Sequence, residues 1–207
     1  MLLANTKDRG RIKPTKKVEA FCPSCGDHVH ARMGQVRLNH WAHLPNSDCT
    51  YGRAMTAWHY RWIDRHYDKA GWEVEFIDEN HRYDCFHPDK QVVLEIQRRA
   101  EYDYIMEKTQ FVIDNGYKIK WIFHEEIFKP ESFERTDTHY NALSYRRFTV
   151  LEILQYWADI PNVEFYIDTF AKGSEGRSSK GLVKLKPISS KRGSYGDFFR
   201  IRYTSVF

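Results

Sequence analysis

The spacing of apolar residues changes period repeatedly between residues 51 and 125. In "GRAMTAWHYRWIDRHYDKAG", Ala54, Trp58 and Trp62 recur at helical spacing, and Gly71 supplies a stop. "WEVEFIDE" then alternates Trp72, Val74 and Phe76 with Glu73 and Glu75, which is the period of a strand. "HRYDCFH" reads as a second short strand, "HPDK" as a turn and "QVVLEIQ" as a third strand. "EYDYIMEKTQFVIDNG" returns to helical spacing and stops at Asn115-Gly116. "YKIKWIFHE" reads as a fourth strand. The short turn predicts antiparallel pairing of the second and third strands. The helix between the third and fourth predicts a parallel crossover. The expected fold class is therefore α/β or α+β, a mixed central sheet flanked by helices.

The flanks carry weaker signals. Residues 1–17 are rich in basic side chains, with Gly10 and Pro14, and read as a loose arm or a first strand. Residues 18–50 are dense in Cys, His and turn residues. Beyond Pro130, "YRRFTVLEILQYWAD" predicts a helix with Phe148, Leu151 and Leu154 on one side. "VEFYIDTF" predicts a strand, "AKGSEGRSSKG" a solvated basic loop and "DFFRIRYTSVF" a closing strand. The expected organisation is a small N-terminal module over 1–50, a core over 51–130 and an α/β extension over 131–207.

Composition changes this picture little. With 42% hydrophobic and 15% aromatic residues, 207 residues can bury a real core. Lys and Arg number 32 against 28 Asp and Glu, a mild excess compatible with an acidic polymer as partner. No apolar run approaches the ~20 residues of a membrane span, and "MLLANTKDRGRIK" has too short an apolar part for a secretory signal. The expected location is the cytoplasm, with no membrane partner. There, four cysteines ask for an explanation other than disulfides.

That explanation lies in "FCPSCGDHVHARMGQVRLNHWAHLPNSDC". Cys22-x2-Cys25 forms a tight loop that points two sulfurs, and backbone amides, at one metal. A second pair from farther along completes a tetrahedral zinc site. His43 with Cys49 is the preferred pair, with His40 as the alternate. In an extended segment His40 and His43 face opposite sides, so both ligating one ion is awkward. Four protein ligands leave no open position, so such a zinc is structural.

The third strand poses a different problem. Glu95 and Gln97 place polar groups two residues apart on one face of "VVLEIQ". A carboxylate inside a sheet needs compensation. Asp84 lies on the neighbouring predicted strand, and a short hairpin can bring the two carboxylates side by side. They repel unless a proton or a divalent cation joins them. Mg²⁺ or Mn²⁺ would satisfy both, activate a water and neutralise phosphate charge. Gln97 could orient that water.

The order of these pieces resembles the competence protein CoiA-like nucleases over residues 20 to 125. The likeness rests on C-x2-C, "HWAH", a later Cys, "AWHYRW", "HRYD", "LEIQ" and "KIKWIF". The resemblance implies a restriction-endonuclease-like, PD-(D/E)xK core with an N-terminal zinc-finger-like module. It implies that Asp84 and Glu95 ligate the catalytic metal and that Gln97 stands where many relatives of that fold carry Lys. His59 falls on the family's helix His and Arg82 on its Arg. Met55 stands where the family often has Glu, which removes a third acidic group. Gln97 brings no charge, so Arg82, Arg98 or another cation must offset the phosphate; Arg99 lies beside them.

The resulting expectation is a metal-dependent nuclease acting on nucleic acid, with DNA the expected substrate. His59 joins the catalytic set, and Arg82 and Arg98 contact the backbone. The alternative is a catalytically degenerate nucleic-acid-binding module acting in DNA uptake, recombination or defence. A third reading, a zinc-organised protein-interaction domain, predicts no salt-dependent binding to nucleic acid.

Overall fold

The computed structural model describes residues 1–8, 10–35, 38–52, 55–78, 81–99, 101–124, 133–135, 139–142, 156–157, 160–168, 182–193 and 196–205. The expected helix over 145–159, apart from Tyr156 and Trp157, and the basic loop over 171–181 lie outside these residues, as does Ala54. The fold is mixed α+β. It divides into two compact units, Met1–Asp89 and Lys90–Phe207.

The first unit opens with five short strands: β1 Ala4–Thr6, β2 Gly10–Ile12, β3 Ala20–Phe21, β4 His28–Arg32 and β5 His40–His43. They form one sheet in the order β2-β1-β3-β4-β5. The pairings are antiparallel. The basic arm at residues 1–17 thus contributes two strands of the module's sheet. Its core is small: Met1, Ala4, Ala20, Cys22, Val29, Trp41 and Tyr51 pack together. A core this size stabilises a domain only marginally, which is where a metal can matter.

Helix α1, Ala57–Tyr67, follows. Thr56 caps it, its hydroxyl accepting from the His59 N–H at 3.3 Å. Trp58 and Trp62 are buried, as their spacing predicts, together with Ile63. Strands β6 Glu73–Ile77 and β7 Arg82–His87 form an antiparallel pair. Lys13 ties the segment after β2 to α1 through Asp64 at 2.8 Å.

Glu75 breaks the expected alternation of β6. The period-two pattern sends it outward with Glu73, yet it is only 2% exposed. Its backbone has φ +48, a left-handed conformation rare for a side chain of this kind. That local turn carries the carboxylate inward, where it accepts from the Leu2 and Leu3 N–H groups at 2.8 and 2.7 Å. Arg11 donates to the Glu75 carbonyl at 2.8 Å. Burial pushes the Glu75 carboxyl up, while the Met1 amino group, the two amides and Arg11 oppose the shift. Glu75→Ala would orphan two buried N–H donors, a loss on the order of 3 kcal/mol. Urea unfolding measures it: the Ala variant should lose clearly more than Glu75→Gln, which keeps an acceptor oxygen. Equal stability of Glu75→Ala and wild type would contradict this.

The second unit contains β8 Val92–Gln97, α2 Tyr102–Asp114, β9 Lys118–His124, β10 Phe133–Arg135, β11 His139–Ala142, β12 Val163–Asp168, β13 Leu182–Gly193 and β14 Gly196–Ser205. Its strands run in the order β10-β11-β14-β13-β12-β9-β8. The strands β8 and β9 pair in parallel across the α2 crossover, as predicted, and β12 adds in parallel to β9. Asn115 and Gly116 end α2 as their sequence predicts. Gly116 has φ +78 and donates to the Ile113 carbonyl at 2.8 Å, while Tyr117 reaches back to Val112 at 3.1 Å. This is a Schellman stop, and its left-handed residue suits glycine.

Candidate functional site

In the first unit, two turns converge on one point. Cys22 and Cys25 lie in the turn between β3 and β4. The Gly26 N–H closes that turn on the Cys22 carbonyl at 2.9 Å, and Gly26 sits at φ +79, where a Cβ would be strained. The Ser24 N–H points at the Cys22 sulfur at 3.3 Å and the Asp27 N–H at the Cys25 sulfur at 3.5 Å. The second turn follows β5. Ser47 binds Asp27 at 3.2 Å and accepts from the Cys49 N–H at 3.3 Å, which fixes Cys49 against the first turn.

One ligand atom from each of Cys22, Cys25, His43 and Cys49 lies within 4.8 Å of the other three. The Cys25 sulfur is 3.4 Å from His43 Nε2. A tetrahedral zinc with sulfur at 2.3 Å implies ligand–ligand edges of about 3.8 Å, so the donor set fits such an ion. Partial loss of solvent and the neighbouring Cys49 and Cys22 thiols push the Cys25 thiol up to about 12, against the pull of the Asp27 amide. Three thiolates this close repel, and a divalent cation removes that repulsion. The expected set of ligands is thus the set brought together.

The alternation of β5 decides between the two histidines. Trp41 and His43 are buried, whereas His40 is directed elsewhere, within 2.9 Å of the Leu38 carbonyl and 6.0 Å from the Tyr60 ring. The fourth cysteine, Cys85, is fully buried in β7, and no cysteine forms a disulfide.

The same unit holds a second polar group. His59, in the first turn of α1, has Nε2 2.9 Å from Asp84 Oδ1 on β7. Both side chains are largely but not fully buried. Arg82 lies two residues before Asp84, on the same face of β7. It is exposed, and its guanidinium sits 4.8 Å from the centre of the Tyr51 ring.

In the second unit, Glu95 is 4% exposed in the middle of β8. What compensates it is Lys108, a residue that no motif in the sequence marks. The Lys108 ammonium lies 3.3 Å from Glu95 Oε1 and is itself 8% exposed. The cross-strand neighbour of Glu95 is Trp121 of β9, whose indole N–H donates to Thr109 of α2 at 2.9 Å. Helix α2 therefore covers the face that carries Glu95, and consecutive residues Lys108 and Thr109 serve that face. Gln97, one pleat repeat on, shares the face and is half-buried. Arg98 and Arg99 are exposed beyond the end of the strand.

The signal for Lys108 was present in one respect. Read as α2, "YDYIMEKTQFVID" puts Lys108 three residues after the buried Ile105 and four before the buried Val112. That is the apolar stripe of the helix, and a Lys there needs a partner.

Residues 4–52 match the family model described as competence protein CoiA, N-terminal domain. The match spans the five-stranded sheet and all four metal-ligand candidates. No curated protein and no solved structure matches the chain. Among the described residues, no helix is long and apolar enough to cross a membrane.

Proposed function

We propose that this protein is a metal-dependent nuclease that hydrolyses phosphodiester bonds of nucleic acid, DNA being the expected substrate. The observation that carries this reading is the buried Glu95–Lys108 pair. The Lys108 ammonium gives the E-x-Q strand the cation that Gln97 lacks, 3.3 Å from the Glu95 carboxylate.

In this reading Asp84 and Glu95 are the carboxylate ligands of Mg²⁺ or Mn²⁺, and zinc is the ion of the Cys22, Cys25, His43 and Cys49 set. When bound, the catalytic ion activates a water and neutralises developing phosphate charge. His59 fixes the orientation of Asp84 through their 2.9 Å contact. Gln97 orients the attacking water through its amide. Lys108 offsets negative charge on the phosphate, and Arg82 and Arg98 hold the backbone. The runner-up, a degenerate module that binds nucleic acid without cutting it, is favoured by Met55 and Gln97, the two departures from the family pattern.

Variants of the cationic group test the reading. Lys108→Met should lower single-turnover cleavage on the order of a hundred-fold or more, as for loss of a preorganised charge. Gln97→Ala should lose roughly ten- to a thousand-fold, as for a positioning group. Gln97→Lys placed in the Lys108→Met background returns the charge to the strand and should restore part of the rate. Wild-type rates in both single variants would remove Gln97 and Lys108 from the mechanism. Salt-dependent binding without any cleavage would favour the runner-up.

A further inference from the structure

We propose that Tyr51 is a positioning residue: its ring holds Arg82 ready for a phosphate of the substrate backbone, so that the metal module orders part of the substrate contact. The proposal rests on the nuclease reading above.

Tyr51 stands two residues after the metal-ligand candidate Cys49. Its ring is 8% exposed and packs in the module's core with Ala20, Cys22, Val29 and Trp41. The same cluster includes the ligand candidate Cys22, and Cys49 packs against it. The Tyr51 hydroxyl is buried and makes no hydrogen bond among the described residues. The polar end therefore does not account for how the ring is used. Its face does: the Arg82 guanidinium lies 4.8 Å from the ring centre, a cation–π distance.

Arg82 itself is exposed at the start of β7, on the face that also carries Asp84. Stacking uses the flat face of the guanidinium. The N–H donors of a guanidinium lie in its plane, in a fork that matches a phosphate. An exposed Arg otherwise loses rotamer freedom when it binds, and a ring that holds it beforehand lowers that cost. Lysine has no flat face to stack and would not be held in this way.

The test is equilibrium binding of a short labelled DNA duplex and its single strand over a range of salt, with Ca²⁺ replacing Mg²⁺ to prevent cutting. Arg82→Ala and Tyr51→Leu should each weaken binding about five- to tenfold and lower the salt slope by about one. The double variant should be no weaker than either single one. Tyr51→Phe keeps the ring face, loses no hydrogen bond and should bind as wild type does. A wild-type salt slope in Tyr51→Leu, or effects that multiply in the double variant, overturns the proposal. Should Tyr51→Leu not fold, Arg82→Lys decides. It keeps the charge but not the stack, so it should bind more weakly than wild type, and wild-type binding by Arg82→Lys overturns the proposal. Wild-type protein that binds neither DNA form overturns the nucleic-acid reading, and this inference with it. Wild-type binding with an unchanged slope in Arg82→Ala overturns the inference alone.

Discussion

Cys22→Ser should abolish metal binding by the N-terminal module and unfold it. The module's core has few large side chains, and its two turns bring Cys22, Cys25, His43 and Cys49 to one point, where a metal could tie them together. For small domains of this kind, structural zinc binding contributes about 10–16 kcal/mol of apparent folding free energy at neutral pH. Losing one thiolate from the set forfeits most of it. Wild-type protein purified without chelator should carry about one zinc per chain, and a strong chelator should mimic the substitution. His40→Ala should change neither the metal content nor the fold, because His40 is turned toward the Leu38 carbonyl rather than the cysteines. Metal analysis with circular dichroism on the three proteins checks this. A metal-free Cys22→Ser protein that remains fully folded would contradict the structural role of the ion.

Much of this module was legible in the sequence because its chemistry is local. C-x2-C specifies a turn by spacing alone, and the two-residue alternation of "HWAH" predicts that His40 and His43 diverge. The strands around them were harder to read. Ala20–Phe21 and Gly10–Ile12 are too short for any period to show, and they exist because neighbours pair with them.

The core elements follow the same logic. Helix, three strands, helix and strand appear in the expected order over residues 57–124. The Asn115-Gly116 stop acts through backbone geometry that any sequence can reveal. Two buried charges were not legible. Glu75 stands at an outward position of the sequence pattern yet is buried, at a residue with a left-handed φ, which no side-chain pattern encodes. Lys108 answers Glu95 from thirteen residues away, across a helix–sheet contact. A sequence displays that a buried carboxylate needs a partner, but not which of many lysines comes within 3.3 Å.

Asp84→Ala and Glu95→Ala should each lower Mg²⁺-dependent cleavage on the order of a thousand-fold or more, because each would remove a metal ligand and with it the activated water. Their side effects should differ. Glu95→Ala leaves the buried Lys108 ammonium without its carboxylate, at a cost of about 3–5 kcal/mol to the fold. Asp84→Ala removes one contact of His59 at a partly exposed position and should cost less stability. Thermal unfolding therefore separates the two variants even where both are inactive. DNA affinity should survive in both, since cationic contacts supply it.

The nuclease reading stands or falls on whether the chain cuts nucleic acid with a divalent ion. The most direct measurement is incubation of purified wild-type protein, beside Asp84→Ala prepared identically, with linear, circular and single-stranded DNA and with RNA. Each reaction is run with Mg²⁺, with Mn²⁺ and with chelator. Wild type should cleave at least one DNA form in the presence of Mg²⁺ or Mn²⁺ and none in chelator, and Asp84→Ala should cleave none. Absence of metal-dependent cleavage on every substrate, or equal cleavage by Asp84→Ala, would contradict the nuclease reading.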